Sequence, residues 1–210
     1  MLLDTPANLA TSMIVGLLLA MLTPPPFSML RSGNVTGQLL RCLACTQPAK
    51  SGLVSTSARP ENPATTARRL ELIQQAEREG MGAASTKSIA FSCRDISTID
   101  GRVRDGLLNA SIELGIEAYR RQQQAIISRP DARQMLSLAA CPTLILVGDS
   151  DLVTPSDCAE ELHLHIPGSE LRLIKNCGHC PPLEHPELVN SLFDLWLARH
   201  GAVAVSEASA

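Results

Sequence analysis

Pro142-Thr143-Leu144-Ile145-Leu146-Val147-Gly148 is a short apolar run closed by a proline and a glycine, and Asp149-Ser150-Asp151-Leu152-Val153-Thr154-Pro155 follows it directly. A continuous run of this length, rich in branched side chains, fits a strand buried on both faces, as in a parallel sheet. The polar stretch after it reads as the loop at that strand's C-terminal end. Ser156 or Asp157 is then placed to cap a helix through Cys158, Ala159, Leu162 and His165. Pro167-Gly168 stops that helix, and Leu171-Arg172-Leu173-Ile174 reads as the next strand. Asn176-Cys177-Gly178-His179 is the loop at its end. Pro186 opens a last helix at the one position where its missing N–H costs nothing. Leu188, Val189, Leu192, Phe193 and Trp196 recur at three- and four-residue steps and form its apolar face.

Strand, loop, helix, strand, loop and helix in this order imply a right-handed crossover and a parallel pair. Both polar loops then lie beyond the C-terminal ends of their strands, where ligands bind in open parallel sheets. Asp151 and His179 are 28 residues apart, about one strand-helix-strand unit, which puts them on one rim. A carboxylate there accepts a bond from the Nδ1–H of the histidine. The other ring nitrogen is then free to take a proton.

Working outward, residues 52–135 open with Gly52-Leu53-Val54 and a Ser/Thr/Pro-rich turn. Thr65 or Thr66 is placed to cap a helix through residues 67–77, which reads as a surface helix. A second helix is expected from about Gly106 to Ile127, ended by Pro130. His163, His165, His185, Tyr119 and Trp196 read as structural or packing residues.

The combination of Gly148-x-x-Asp151-x-x-Thr154-Pro155, Asn176-Cys177-Gly178-His179 and Leu183-Glu184-His185-Pro186-Glu187 resembles the α/β-hydrolase family. Gly52 to Pro60 is similar to the strand and turn that follow the family's nucleophile helix, and Tyr119 to Pro130 resembles the end of its cap region. The resemblance covers about residues 45–200. It implies an α/β architecture and a Ser-Asp-His triad with Asp151 as acid and His179 as base. Spacing from Gly148 favours Asp151 over Asp149. The glycine before the histidine is expected to let the loop turn tightly. The triad chemistry calls for no cofactor and no metal.

The same family places its nucleophile in a Gly-x-Ser-x-Gly elbow, and the chain contains none. Ser28, in Pro26-Phe27-Ser28-Met29-Leu30, is the candidate nucleophile by its distance before Gly52. Ser12 lies further upstream. Gly33-Asn34-Val35-Thr36-Gly37 has the glycines but valine at the reactive position. Only 27 residues precede Ser28, whereas each strand-crossover-strand unit takes about 30. The expected fold is thus a partial α/β-hydrolase-like parallel sheet with flanking helices and its early strands missing. It divides into a divergent segment 1–51, a core 52–200 with a helical cap about 61–130, and a disordered tail 201–210. An exposed sheet edge in such a molecule invites self-association.

Bulk properties narrow the function classes. With 210 residues and 45% hydrophobic content, the chain can build one real core. A net charge of −3 without a basic patch argues against nucleic acid as a partner. Leu9 to Leu22 is nearly all apolar but too short for a stable membrane span. No Lys or Arg precedes it, so a buried helix or strand stands beside a secretion signal as its reading. The cysteines number seven, an odd count scattered through apolar patterns, which fits reduced thiols in the cytoplasm. Cys42-x-x-Cys45 and Cys177-x-x-Cys180 have the spacing of zinc ligands, but their segments differ in character and two prolines follow Cys180. Two function classes remain. One is a hydrolase of an ester, lactone or similar small substrate through Ser28, His179 and Asp151. The other is a non-catalytic relative acting in binding or assembly, or without function.

Overall fold

The structure, a computed structural model, describes residues 27–31 and 50–200. The apolar segment 9–22, Ser12, the Gly33–Gly37 stretch, Cys42, Cys45 and the tail 201–210 lie outside the described residues.

Four parallel strands form one sheet in the order β1 (Phe27–Arg31), β2 (Lys50–Val54), β3 (Thr143–Gly148) and β4 (Glu170–Ile174). Between β2 and β3 the chain makes three helices, α1 (Pro63–Glu79), α2 (Met81–Ser92) and α3 (Gly101–Ile127). Helix α4 (Ser156–His165) connects β3 to β4. The short α5 (Pro181–Glu184) and the longer α6 (Pro186–Arg199) complete the described chain.

Strand β3 explains its own sequence. Its alternate residues enter different cores, because side chains of a strand point to opposite faces. Ile145 and Val147 pack with Leu53, Ala159 and Leu162, under α4. Leu144 and Leu146 pack with Val54, Ile174, Val189, Phe193 and Trp196, under α6. Every residue of β3 is buried, and its one polar side chain, Thr143, donates its hydroxyl to the Cys141 carbonyl at 3.0 Å. β4 is covered less completely: only Ile174 is buried, and Leu173 is exposed.

Helix caps differ from the sequence expectation. Asn62, not Thr65 or Thr66, caps α1, accepting the Thr65 N–H on its side-chain oxygen at 2.9 Å. Pro63 at the first helical position fixes the start there. α1 is also more than a surface helix, since Leu72, Ile73 and Ala76 are buried. α4 starts at Ser156 with no side-chain cap; Pro155 precedes it. α3 begins five residues earlier than the periodicity indicated, at Gly101, and breaks at Gly115, where φ is 74°. Asp100 caps it through the Arg102 N–H.

The three helices between β2 and β3 carry a separate small core of Ala76, Met81 and Ala84 against Ile116 and Tyr119. A further cluster of Cys93, Ile99 and Cys180, with Leu183 against it, joins this helical region to the segment after β4. The five cysteines among the described residues are all buried. No helix among the described residues is long and apolar enough to cross a membrane.

Candidate functional site

Asp151 leaves the end of β3 and His179 the end of β4, five residues beyond Ile174. Their loops meet because position 148 carries no side chain. A Cβ there would collide with the carbonyl oxygens of Cys177 and Gly178. The Ser150 N–H donates to the Cys177 carbonyl at 2.9 Å and locks the two loops together.

The pair itself is buried, Asp151 at 4% and His179 at 5% exposure. His179 Nδ1 lies 2.9 Å from Asp151 Oδ2 and 3.1 Å from Oδ1. The N–H groups of Val153 and Thr154 donate to Oδ1 at 2.8 and 2.9 Å, and the Thr154 hydroxyl donates to Oδ2 at 2.9 Å. Burial pushes the Asp151 carboxyl up, but the hydrogen bonds and charge of His179, with the two amides, bring it below the usual carboxylate value. It is therefore ionised at neutral pH and accepts from Nδ1–H, which leaves Nε2 as the basic nitrogen. Asp149 takes no part: it accepts from the Ser150 hydroxyl and lies 3.8 Å from Lys175.

The histidine loop is held by a carboxylate whose role the sequence did not disclose. Glu184 accepts the N–H of Gly178 at 3.0 Å, of Cys180 at 3.1 Å and of Arg94 at 2.8 Å. The His179 N–H donates to the Ser92 carbonyl at 2.7 Å. The end of α2 is thus bonded to the loop that carries the histidine. Gly178 is needed for this approach rather than for the turn. A Cβ on it would stand 2.5 Å from Arg94 N and 2.7 Å from Ser92 O. The left-handed turn is made by Asn176, with φ of 55°. His185 supports it, with Nε2 3.0 Å from the Asn176 carbonyl. The sequence did carry one signal for the turn, an asparagine two residues before Gly178.

His179 lines a cavity of about 580 Å³. Thr154, Val153 and Ser92 line it beside the histidine, and Arg59, Arg68, Arg69 and Arg129 make it strongly cationic. Sequence reading passed over these arginines, because they come from the β2 exit, α1 and the segment after α3.

Ser28 is the second residue of β1, in register with Ser51, which in turn pairs with Thr143. These partners stand at the openings of β2 and β3, whereas Asp151 and His179 follow the strand ends. Ser55, just beyond β2, adopts φ of 45° and buries a hydroxyl that has no hydrogen-bond partner among the described residues.

No protein-family model matches the chain. A pimeloyl-acyl-carrier-protein methyl ester esterase of Nitrosomonas europaea is 36% identical over 69 residues, which make up 33% of this chain and 27% of the esterase. The match thus spans about a quarter of that relative's length. A thermophilic esterase from Thermogutta terrifontis, solved with malate bound, has a TM-score of 0.71 and 26% identity, over 95% of this chain and 74% of the esterase. The enol-lactonase of Burkholderia xenovorans shares the fold with a TM-score of 0.71 at 20% identity, over 92% of this chain and 73% of the lactonase. The chain has a partial α/β-hydrolase fold, and the proteins it resembles in sequence and structure are α/β-hydrolases.

Proposed function

We propose that this chain hydrolyses an ester, a lactone or a similar small substrate, with His179 as general base and Asp151 as the acid that orients it. One observation carries the reading: the buried carboxylate of Asp151 lies 2.9 Å from Nδ1 of a histidine that lines a cavity on the sheet's C-terminal rim. The names of its relatives, which include esterases and a lactonase, are in keeping with it.

In this reading a serine hydroxyl attacks the ester carbonyl carbon while Nε2 of His179 takes its proton. The tetrahedral adduct collapses, the C–O bond to the alcohol breaks, and the imidazolium returns the proton to the departing oxygen. A water then repeats the sequence on the acyl-enzyme and releases the acid. Asp151 stays ionised throughout and stabilises the imidazolium. Ser28 is the nominated nucleophile.

The test is labelling of the full chain with a serine-directed fluorophosphonate, read by intact mass and peptide mapping. One adduct per chain, lost in Ser28→Ala, is the expected result. An adduct lost in Ser12→Ala instead would move the nucleophile to Ser12 and leave the roles of Asp151 and His179 in place. No adduct under conditions that label an intact esterase would sink the hydrolase reading. In that event the chain acts as a binding module, the reading favoured by the lack of any Gly-x-Ser-x-Gly sequence.

A further inference from the structure

The wall of the cavity that holds His179 carries more cationic charge than its own carboxylates balance. Arg59 is spent on Asp157 and Glu161, at 2.6 and 2.8 Å. Glu61, with a side chain only 3% exposed, is shared by Arg69 at 2.7 Å and Arg129 at 3.1 Å. Arg129 also buries an Nε that has no hydrogen-bond partner among the described residues. Arg68 stands beside this group with no ion pair among the described residues. Its Cζ lies 3.9 Å from the centre of the Phe91 ring. That contact is made through the face of the guanidinium and uses none of its N–H donors. Two guanidinium groups therefore share one carboxylate, and a third lines the same half-buried wall without one of its own.

Such an arrangement is costly without a further anion. Burial, together with the neighbouring Arg69, pushes the Arg68 pKa down, and burial lowers that of Arg129 as well. A planar carboxylate is matched to the free edge of Arg68, because the guanidinium fork binds its two oxygens in parallel. A second carboxylate would balance the wall as Glu61 does for Arg69 and Arg129. The volume of about 580 Å³ is ample for a short acyl chain reaching from this wall to the histidine.

We infer that Arg68, backed by Arg69 and Arg129, forms a subsite for a free carboxylate on the substrate, so that the chain selects anionic esters or lactones: monoesters of short dicarboxylic acids, or lactone rings bearing a carboxylate. This names a substrate class for the hydrolytic reading above and rests on it for the word substrate. The anion site itself can be tested without turnover.

The experiment is calorimetric titration of the full chain with glutarate and with its uncharged dimethyl ester, at low and at high salt. Glutarate is expected to bind about tenfold or more tightly than the diester at low salt, with the gap narrowing as salt is raised. In Arg68→Gln the preference for glutarate is expected to collapse, and in Arg68→Lys to survive in part. Arg68 makes no ion pair among the described residues, so the glutamine leaves no new unpaired buried carboxylate. If the glutamine variant fails to fold, the wild-type comparison with Arg68→Lys decides. Equal binding of the two ligands, an unchanged preference in Arg68→Gln, or tighter binding of inorganic phosphate than of glutarate would each overturn the carboxylate subsite. The two readings fail separately. Glutarate preference without a fluorophosphonate adduct removes the hydrolase and keeps the subsite. An adduct without glutarate preference does the reverse.

Discussion

Asp151 gathers hydrogen bonds on both carboxylate oxygens, and each donor lowers its affinity for a proton. Its folded pKa lies below the unfolded value of about 3.9. The group therefore adds stability above that unfolded value, and the gain is lost as pH falls through the folded value. Thr154→Val removes the hydroxyl donor to Oδ2 while keeping shape and the backbone N–H. The variant is expected to lose roughly 1–3 kcal/mol near neutral pH. The part of its stability lost to acid should be smaller, and that loss should be complete at a higher pH than in the parent, which urea unfolding across an acid series would measure. On the proposed mechanism Asp151→Asn disfavours the productive histidine tautomer, and hydrolysis of a chromogenic ester should drop by about 10⁴-fold in kcat. A change below tenfold would remove Asp151 from catalysis. The pairing of Asp151 with His179 was legible in the sequence because strand, loop and spacing fix it. The task of Glu184 was not. It accepts from backbone N–H groups that any residue supplies, so nothing in the identities of its partners pointed to it.

Elements meet at this site through backbone, and glycine sets how near they come. Gly178 faces the end of α2 so closely that a methyl group would strike Arg94 N and Ser92 O. Gly178→Ala should cost about 1–3 kcal/mol, the usual toll of overpacking, and should lower the melting temperature. A neutral result would mean that α2 does not dock on the histidine loop. The sequence revealed a glycine here and suggested a tight turn, yet the turn belongs to Asn176, and the need for glycine comes from a helix about 85 residues upstream. Helix starts were misread for a related reason. Thr65 and Thr66 have good capping chemistry, but Asn62 before a proline outcompetes them. α6 was legible because burial on one face imposes a period, and β3 because burial on both faces imposes a continuous apolar run.

On the scale of the molecule, the sheet is sealed on one side by α4 and on the other by α6. Trp196 is wholly buried at the centre of the second seal, against Val54, Leu146 and Phe193. Trp196→Ala is expected to cost about 3–5 kcal/mol in chemical denaturation, a large share of the stability of an ordinary domain. A loss under 1 kcal/mol would show that α6 is not needed to hold the sheet. The parallel order of the sheet was legible from the sequence as a repeat of strand and helix. The charged cavity was not, since its arginines are far apart in sequence and sit in stretches with no period of their own.

The amides of Gly178, Cys180 and Arg94 all end on the single carboxylate of Glu184, while the N–H of His179 ends on the last turn of α2. Bonds that share an anchor exchange with deuterium in one event rather than residue by residue. The helical region is thus no door swinging clear of a fixed reaction centre. Whatever loosens it far enough to break these bonds loosens the histidine with it.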